Sequence, residues 1–346
     1  MGKYIFDVLE SEKFSAGTKA KNDISFYLHE QGFLKIFIDK DMGRFEKYLF
    51  ANTLLNKKLS GLGQSDLLIV QYPLYMGKLY TNILIRKLKK INIPTVLIVH
   101  DVEAIREHFN DPEAIKKEVT LLNQFDLLIV HNNQMKNWLK ESGVNREMID
   151  LSIFDYYNQQ PYKRMKHDKQ ISIAFAGNLE KSLFLTKISK SQETIYNLYG
   201  PNPQESIVQK MSYKGTYPPE ILPLYLEGNY GLVWDGESLN TCTGKYGNYM
   251  RYNNPHKTSL YLSCGIPVII WKQAALASFI EKNGLGLAVN SLEDIDEQLM
   301  SITEEQYDNM VNNVVRMSEK IRNGYFIQHA VQQAEQILKR GVKNDL

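Results

Sequence analysis

Short apolar runs alternate with amphipathic stretches along most of the chain. In the first half, five runs rich in Ile, Leu and Val are strand candidates, at residues 4–8, 34–38, 67–71, 95–99 and 127–130. Continuous runs, unlike alternating ones, are typical of strands that are covered on both faces. Because helical patterns separate these strands, the first half predicts a parallel, Rossmann-like α/β sheet.

A polar, Tyr-rich and basic stretch at residues 155–169 interrupts this pattern and predicts an interdomain connection. The alternation then resumes, with strand candidates at 171–176, 194–199, 230–234, 267–271 and 285–289. We therefore expect two Rossmann-like domains, at residues 1–154 and 155–323, that face an interdomain cleft. Apolar residues at helical spacing in the final segment, 324–346, predict a helix that packs back on the body.

Composition and charge exclude several classes of protein. The 346 residues carry a formal net charge of +2, which gives no electrostatic basis for binding nucleic acid. The chain has only two cysteines, Cys242 and Cys264, too few for a disulfide framework or a zinc site. The first residues lack the apolar core of a signal peptide, and no apolar run is long enough to span a bilayer. We therefore expect a cytoplasmic protein whose membrane contact, at the inner face, is at most peripheral.

The segment Asn-Asn-Pro-His-Lys at 253–257 is the strongest local signal for chemistry. Asn254 is a good N-cap and Pro255 suits the first helical position, so His256 and Lys257 are predicted in the first turn of a helix. Cations at this end oppose the helix dipole unless an anion binds the free backbone N–H groups. We favour a diphosphate site over side chains that simply point into water. To this site we assign Asn253, Asn254, His256, Lys257 and Ser259.

A glycine turn follows the first strand of the second domain. Gly177 lets the backbone approach a ligand, Asn178 follows it, and Lys181 is near enough along the chain to reach a phosphate. Taken alone the signal is weak, because an ordinary strand-to-helix turn with a solvated lysine has the same residues.

Polar pairs follow two strands of the first domain. His100-Asp101 follows the run at 95–99, and His131-Asn132 follows the run at 127–130. The carboxyl ends of parallel strands form the ligand-binding edge of a sheet, so His100 or Asp101 is a candidate to orient or deprotonate an acceptor hydroxyl. For His131-Asn132, the N-cap of the next helix is the better interpretation.

The turn between the first strand and the first helix is another candidate for a phosphate-facing loop. Gly17 and Thr18 lie there, although a plain polar turn explains them equally well. The turn lacks Gly-x-Gly-x-x-Gly, which argues against a dinucleotide-dependent dehydrogenase. No metal site is predicted, and the Asp-x-Asp at 294–296 lies in an acidic helical stretch that is interpreted as a solvated face.

A basic helix is predicted at residues 83–92, with Arg86, Lys87, Lys89 and Lys90 beside apolar positions. A helix that covers the sheet and exposes its charges is the favoured interpretation. Contact with an anionic membrane, where lipid-linked acceptors reside, is the alternative.

Several segments, in order, resemble one family: the bacterial galactofuranosyltransferase-like enzymes of surface polysaccharide synthesis and the related glucosyltransferase that adds the second sugar to serine-rich-repeat adhesins. These segments are AGTKAKNDI at 16–24, HD at 100–101, FDY at 154–156, AGNLEK at 176–181, GLVWDG at 231–236, YGNY at 246–249, and YNNPHK at 252–257 through GIPV at 265–268. Together they span nearly the whole chain.

The resemblance implies a GT-B fold, a UDP-sugar donor held mainly by the C-terminal domain, and no metal ion or other cofactor. Lys181 and Lys257 match basic residues that would face the diphosphate. One departure matters: widespread retaining GT-B enzymes place a Glu where this chain has Leu260, so their Glu-based donor recognition is not carried over.

These observations predict transfer of a hexosyl group, galactofuranose or glucose, from a UDP-sugar to a sugar hydroxyl of a glycan acceptor that is lipid-linked or part of a glycoprotein. Lys181 and Lys257 would stabilise the departing UDP, and an inverting reaction would need Asp101 or His100 as general base. Two alternatives stay open: a non-catalytic subunit that binds a glycan or a partner enzyme, and a UDP-sugar epimerase. The transferred sugar, the linkage and the oligomeric state, a homo-oligomer included, are not fixed by the sequence.

Overall fold

The computed structural model describes residues 2–9, 16–39, 44–163, 165–167 and 170–344, which divide into two compact units. The first unit holds residues 2–9, 20–151 and 327–344, and the second holds 16–19 and 152–326. These ranges differ from the predicted domains 1–154, 155–323 and 324–346 at three places: residues 16–19, 152–154 and 324–326 group with the second unit. Lys19 shows why, since its Nζ donates to the Tyr157 carbonyl at 3.1 Å and lies 4.4 Å from the ring centre of Tyr156.

The first unit is built around a six-stranded sheet in the order β2-β1-β3-β4-β5-β6, with every neighbouring pair parallel. Its strands are β1 Lys3–Leu9, β2 Leu34–Asp39, β3 Leu67–Tyr72, β4 Thr95–Val99, β5 Leu127–Val130 and β6 Glu147–Asp150. Its helices are α1 Ala16–Glu30, α2 Arg44–Lys58, α3 Lys78–Ile91, α4 Glu103–Arg106, α5 Pro112–Leu122 and α6 Asn133–Glu141. The four apolar residues of β5 are fully buried, as the continuous pattern predicts for a central strand.

The second unit repeats this plan with the strand order β12-β11-β10-β7-β8-β9, again with parallel neighbours. Its strands are β7 Ile171–Ala176, β8 Thr194–Tyr199, β9 Ser212–Gly215, β10 Tyr230–Val233, β11 Val268–Trp271 and β12 Gly286–Val289. Its helices are α7 Glu205–Val208, α8 Leu222–Tyr225, α9 Gly244–Tyr249, α10 His256–Ser263, α11 Ala277–Lys282, α12 Ile295–Met300 and α13 Glu304–Arg322, with a 3-10 turn at Leu183–Lys187. Helix α14, Tyr325–Asn344, completes the chain's elements and lies mainly in the first unit.

All ten predicted strands are present, but the sequence missed β6 and β9. Both are short edge strands, and neither has a continuous apolar run: β6 reads Glu-Met-Ile-Asp and β9 reads Ser-Tyr-Lys-Gly. An edge strand is covered on fewer sides, so its residues need not be apolar. The signal that identified the other strands is therefore weak at these two.

The position of α10 depends on a close approach between Gly231 and Tyr261. Gly231 lies in β10, paired with Ala174 of β7 and Val268 of β11, and a Cβ built on it would lie 2.2 Å from the Tyr261 ring. On the other side, the Tyr261 hydroxyl accepts a hydrogen bond from the Ala176 N–H at 2.7 Å. A buried aromatic ring thus fastens α10 to two adjacent strands.

Within the described part of the chain, no helix is both long enough and apolar enough to cross a membrane.

We expect Gly231→Ala to lower the free energy of unfolding by about 1–3 kcal/mol, because the new methyl group overlaps the Tyr261 ring and α10 must shift. Urea unfolding followed by circular dichroism measures this change. Gly63→Ala is the matched control, since nothing lies within 4 Å of a Cβ at that position. Equal stability of the two variants would contradict the contact described here.

Candidate active site

The second sheet changes its winding direction between β7 and β10. Strand β7 leads to β8 and β9 on one side, whereas β10 leads to β11 and β12 on the other. In open parallel sheets, ligands bind beyond the carboxyl ends of the strands at such a point. Gly177 follows β7 directly, and Asp235 lies two residues beyond β10.

A cavity of about 440 Å³ opens at this edge, within the range usual for small-molecule sites. All residues of its lining belong to the second unit. They are Tyr156, Ala176, Gly177, Asn178, Tyr199, Gly200, Pro201, Thr216, Tyr217, Pro219, Leu222, Asp235, Asn253, Pro255, His256, Lys257 and Leu260.

Two glycine turns form part of the cavity wall. Gly200 has φ +145°, and a Cβ on it would lie 1.8 Å from the Gly177 carbonyl oxygen. The Gly177 N–H donates to the Tyr199 carbonyl at 3.0 Å. The backbones of the two turns therefore pack directly on each other, and peptide groups rather than side chains form this part of the cavity wall.

Helix α10 begins one residue later than the sequence predicts. Pro255, not Asn254, is the N-cap, and His256 is the first helical residue. Asn254 is buried, and its Nδ2 donates to the Ser152 carbonyl at 3.2 Å, so it lies one residue before the cap. The prediction that His256 and Lys257 lie in the first turn is nevertheless confirmed.

Lys257 is the cation of the cavity. Its Nζ lies 3.2 Å and 3.4 Å from the two carboxylate oxygens of Asp235 and 4.7 Å from the ring centre of Phe175. Its side chain is 16% exposed. The ammonium group is thus fixed in place, partly shielded from water, and accessible from the cavity.

His256 differs from the expectation that it supplies a second cation. Burial, together with the charge of Lys19, lowers its pKa to about 3, while a hydrogen bond to the backbone of Asp155 acts in the opposite direction. The imidazole is therefore neutral near pH 7. A hydrogen bond that raises the pKa of an imidazole is one that the ring donates, so its backbone partner in Asp155 is the carbonyl oxygen. Because Nε2 has no partner among the described residues, Nδ1 donates this bond.

Hydrogen-bond acceptors also line the cavity beside Lys257. Asn253 Oδ1 is buried and, within the part of the chain that the structure describes, makes no hydrogen bond. His256 Nε2 is also buried and has no hydrogen-bond partner among the described residues. The oxygens of the Asp235 carboxylate can accept further hydrogen bonds. Buried acceptors without partners are costly unless a ligand satisfies them. The cavity lining therefore combines the Lys257 ammonium group with several acceptor atoms that need hydrogen-bond donors, such as hydroxyl groups.

Comparison with known proteins shows which family the chain belongs to. The glucosyltransferase 3-like family matches the chain twice, with its N-terminal domain at residues 2–153 and its C-terminal domain at residues 173–334. The chain belongs to the glucosyltransferase 3-like family. The beta-1,6-galactofuranosyltransferase WbbI of Escherichia coli K12 is 31% identical over 340 residues, which cover 97% of this chain and 99% of WbbI. Glucosyltransferase 3 of Streptococcus gordonii is 29% identical over 319 residues, 89% of this chain and 90% of that protein.

The fold agrees with this family. Sucrose-phosphate synthase from Thermosynechococcus elongatus superposes with a TM-score of 0.67 over 99% of this chain and 100% of that one, at 11% identity. The expected GT-B fold is confirmed, and the family member described here is a glycosyltransferase that transfers a hexosyl group in glycan or glycoprotein synthesis.

Among the predicted donor residues, Gly177, Asn178, Asn253, His256 and Lys257 line the cavity of this glycosyltransferase. Ser259 does not: it is 1% exposed, and its hydroxyl donates to the Phe154 carbonyl at 2.7 Å, so its role is structural. Lys181 also lies outside the lining, exposed, with its Nζ 3.4 Å from the Tyr246 hydroxyl. Gly17 and Thr18 lie in the first turn of α1, where Gly17 is exposed and Thr18 buried. The loop residues 11–15 before them lie outside the described residues.

The proposed bases lie in the first unit, at the carboxyl end of β4. His100 is buried, and its Nε2 lies 2.8 Å from Gln71 Oε1. The Gln71 amide nitrogen donates to Asp7 Oδ1 at 3.0 Å, so its oxygen faces His100 and His100 Nε2 carries the proton. Asp101 Oδ2 forms an ion pair with Arg106 Nη1 at 2.6 Å. His131 is buried and Asn132 caps α6 through the Met135 N–H, as predicted.

Sequence reasoning did not select Asp235 or Tyr156 as site residues. Asp235 lies just beyond β10, so the rule that identified His100 and Asp101 applies to it as well. Tyr156 lies in the segment interpreted as a connection, and its hydroxyl donates to the Pro219 carbonyl at 2.8 Å. Among the described residues, no three His, Cys, Asp or Glu side chains are grouped closely enough to hold a metal ion.

The low pKa of His256 predicts a pH effect on stability. Its usual pKa is about 6.5, and its folded-state pKa is about 3, so the unfolded chain takes up the proton first. The stabilisation is complete above pH 6.5 and decreases as the pH falls toward 3. The unsubstituted protein should therefore lose free energy of unfolding between pH 7 and pH 4.5. In His256→Gln we expect this loss to be smaller by about 2 kcal/mol.

Urea unfolding at the two pH values provides the measurement. His108→Gln, which changes an exposed histidine, should leave the pH dependence as it is. An unchanged pH dependence in His256→Gln would show that the imidazole is not kept neutral by the fold.

Proposed function

We propose that this glycosyltransferase takes a galactofuranosyl or glucosyl group from a UDP-sugar and transfers it, without a metal ion, to a sugar hydroxyl of a glycan acceptor. The observation that carries the proposal is the position of Lys257, in the first turn of α10 and at the wall of the cavity. The names of WbbI and glucosyltransferase 3 support the choice of sugars.

The phosphate end of the donor would lie against Lys257 and the first turn of α10. A helix N-terminus attracts anions through its free N–H groups and its dipole. As the bond to the sugar breaks, negative charge grows on the departing UDP, and a fixed ammonium group stabilises that charge. Lys257 would supply here what a divalent cation supplies in metal-dependent enzymes. The neutral His256 adds no charge to this site.

The sugar end would lie against the acceptors. A diphosphate at neutral pH has no hydrogen to donate, so it cannot satisfy Asn253 Oδ1 or His256 Nε2. The hydroxyl groups of a sugar can, and a carboxylate such as Asp235 accepts from two hydroxyls at once. The ribose hydroxyls and the uracil N–H of the nucleotide can satisfy such acceptors as well, so the cluster favours a ligand with donors besides its phosphates, and the comparison of UDP with the UDP-sugar below decides which part lies there.

The general base and the acceptor class are proposed from the sequence. In an inverting reaction, His100 or Asp101 would take the proton of the acceptor hydroxyl. A glycan on a lipid or on a glycoprotein is the proposed acceptor class.

Replacing Lys257 with Gln should weaken UDP-sugar binding by about ten- to a hundred-fold, the usual loss for a hydrogen bond to a charged group. Isothermal titration calorimetry with UDP-glucose and UDP-galactofuranose, at equal ionic strength and with EDTA present, measures the loss. Lys272→Gln removes one exposed charge from the same unit and should bind as the unsubstituted protein does. Normal affinity of Lys257→Gln would refute this assignment.

Replacing Asp235 with Asn separates the two ends of the donor site. The substitution removes acceptor capacity for sugar hydroxyls and also frees Lys257 from its ion pair. We therefore expect UDP-sugar affinity to fall by about ten-fold, as for a lost hydrogen bond to a charged group, while UDP binds at least as tightly as before. Parallel titrations with UDP and with the UDP-sugar test this, and an equal loss for both ligands would assign Asp235 to the phosphate end instead.

A further inference from the structure

A second cavity lies in the first unit, between α3 and α5. Its volume is about 840 Å³, and neither the donor site nor the proposed bases use it. The residues that line it are Tyr72, Lys78, Asn82, Ile85, Arg86, Glu103, Ala104, His108, Glu113, Ala114, Lys116, Lys117, Glu118, Thr120, Leu121 and Gln124. We call this feature the α3–α5 groove.

Helix α3 brings a concentrated positive charge to the groove. It carries five basic residues, Lys78, Arg86, Lys87, Lys89 and Lys90, and no acidic residue. None of them forms an ion pair with a side chain in the part of the chain that the structure describes; Lys87 and Lys89 instead donate to the neutral amides of Asn56 and Gln124. Of the five, Lys78 and Arg86 line the groove itself.

The opposite wall adds cations and few free anions. Helix α5 contributes Lys116 and Lys117, both exposed. Its Glu118 is buried and accepts hydrogen bonds from the Glu103 N–H at 3.0 Å and the Tyr72 hydroxyl at 2.8 Å, so its carboxylate is held inside the unit.

The remaining acids of the groove compensate only part of this charge. Glu103 lies 3.3 Å from Arg106, and Glu113 is the exposed acid of the lining. The cations of the groove therefore outnumber the acids that are available to neutralise them.

The lining of the groove also has an apolar part, made of Ile85, Ala104, Ala114 and Leu121. Two large apolar side chains are exposed directly after lining residues in the chain: Leu79, 39% exposed, follows Lys78, and Phe109, 41% exposed, follows His108. A lipid surface offers phosphates above hydrocarbon, which suits the aliphatic Leu79 as well as the ring of Phe109. A nucleic acid offers phosphates and bases that stack on aromatic rings, but no hydrocarbon layer.

We propose that the α3–α5 groove docks this protein on an anionic lipid surface, with lipid phosphates at Arg86, Lys116 and Lys117 and with Leu79 and Phe109 inserted at the interface. The proposal uses none of the residues of the donor site. It assigns a membrane-facing side to a chain in which no described helix can span a bilayer.

Co-sedimentation with vesicles tests the proposal. The full chain should bind vesicles with 30 mol% phosphatidylglycerol in phosphatidylcholine, and should not bind pure phosphatidylcholine vesicles. Each Lys or Arg near an anionic surface contributes about five-fold in affinity, so the double variant Arg86→Gln/Lys117→Gln should bind at least ten-fold more weakly. Raising the salt concentration should weaken binding as well, because the Debye length shortens from about 10 Å at 0.1 M to about 3 Å at 1 M.

Two further variants test whether the position of the charges matters and whether apolar contact contributes to binding. Lys187→Gln/Lys214→Gln removes the same charge from exposed positions of the second unit and should bind as tightly as the unsubstituted protein. Phe109→Ser should reduce binding even at high salt. All variants should bind UDP-sugar normally, which separates this test from that of the donor site.

The proposal is overturned if the unsubstituted protein binds both vesicle types equally, or if the second-unit variant loses as much affinity as the groove variant. Binding of RNA that depends on Arg86 and Lys117, without binding to anionic vesicles, would also overturn it and reassign the groove to nucleic acid.

Discussion

The packing of Tyr261 against Gly231 is the contact on which the candidate active site depends. It lets α10 lie directly on β10, and the hydroxyl of the same ring holds the end of β7. Because Lys257 is one turn before Tyr261 on this helix, the contact sets the position of the ammonium group relative to the glycine turn after β7. A larger residue at position 231 would displace the helix, and with it the cation.

The chemistry of the cavity follows from an imbalance between donors and acceptors. One ammonium group, held by Asp235, faces a set of acceptors that includes a neutral imidazole and an amide oxygen. Burial keeps the imidazole neutral, so the site does not gather positive charge near pH 7. A ligand that complements this arrangement carries both negative charge and hydroxyl groups, as sugar nucleotides do.

Much of the fold could be predicted because buried parallel strands leave a strong signal in the sequence. The continuous apolar runs identify β3, β4 and β5 directly, whereas the edge strands β6 and β9 have too few buried residues to be seen. In the site, Lys257 was predictable from its conflict with the helix dipole. The neutral state of His256 and the structural role of Ser259 were not, since both depend on neighbours, Lys19 and Phe154, that are more than a hundred residues away along the chain.

The ion pair between Lys257 and Asp235 has a consequence for turnover. An anion that binds Lys257 must compete with a carboxylate that is already 3.2 Å from the ammonium group. This competition lowers the affinity for any anionic ligand, the product included. When the anion leaves, Asp235 takes up the lysine again, so the unliganded site does not carry an uncompensated charge. Differences in affinity among related complexes arise mostly from dissociation rates, so under the proposed function a carboxylate in this position would shorten the time that a spent nucleotide stays bound.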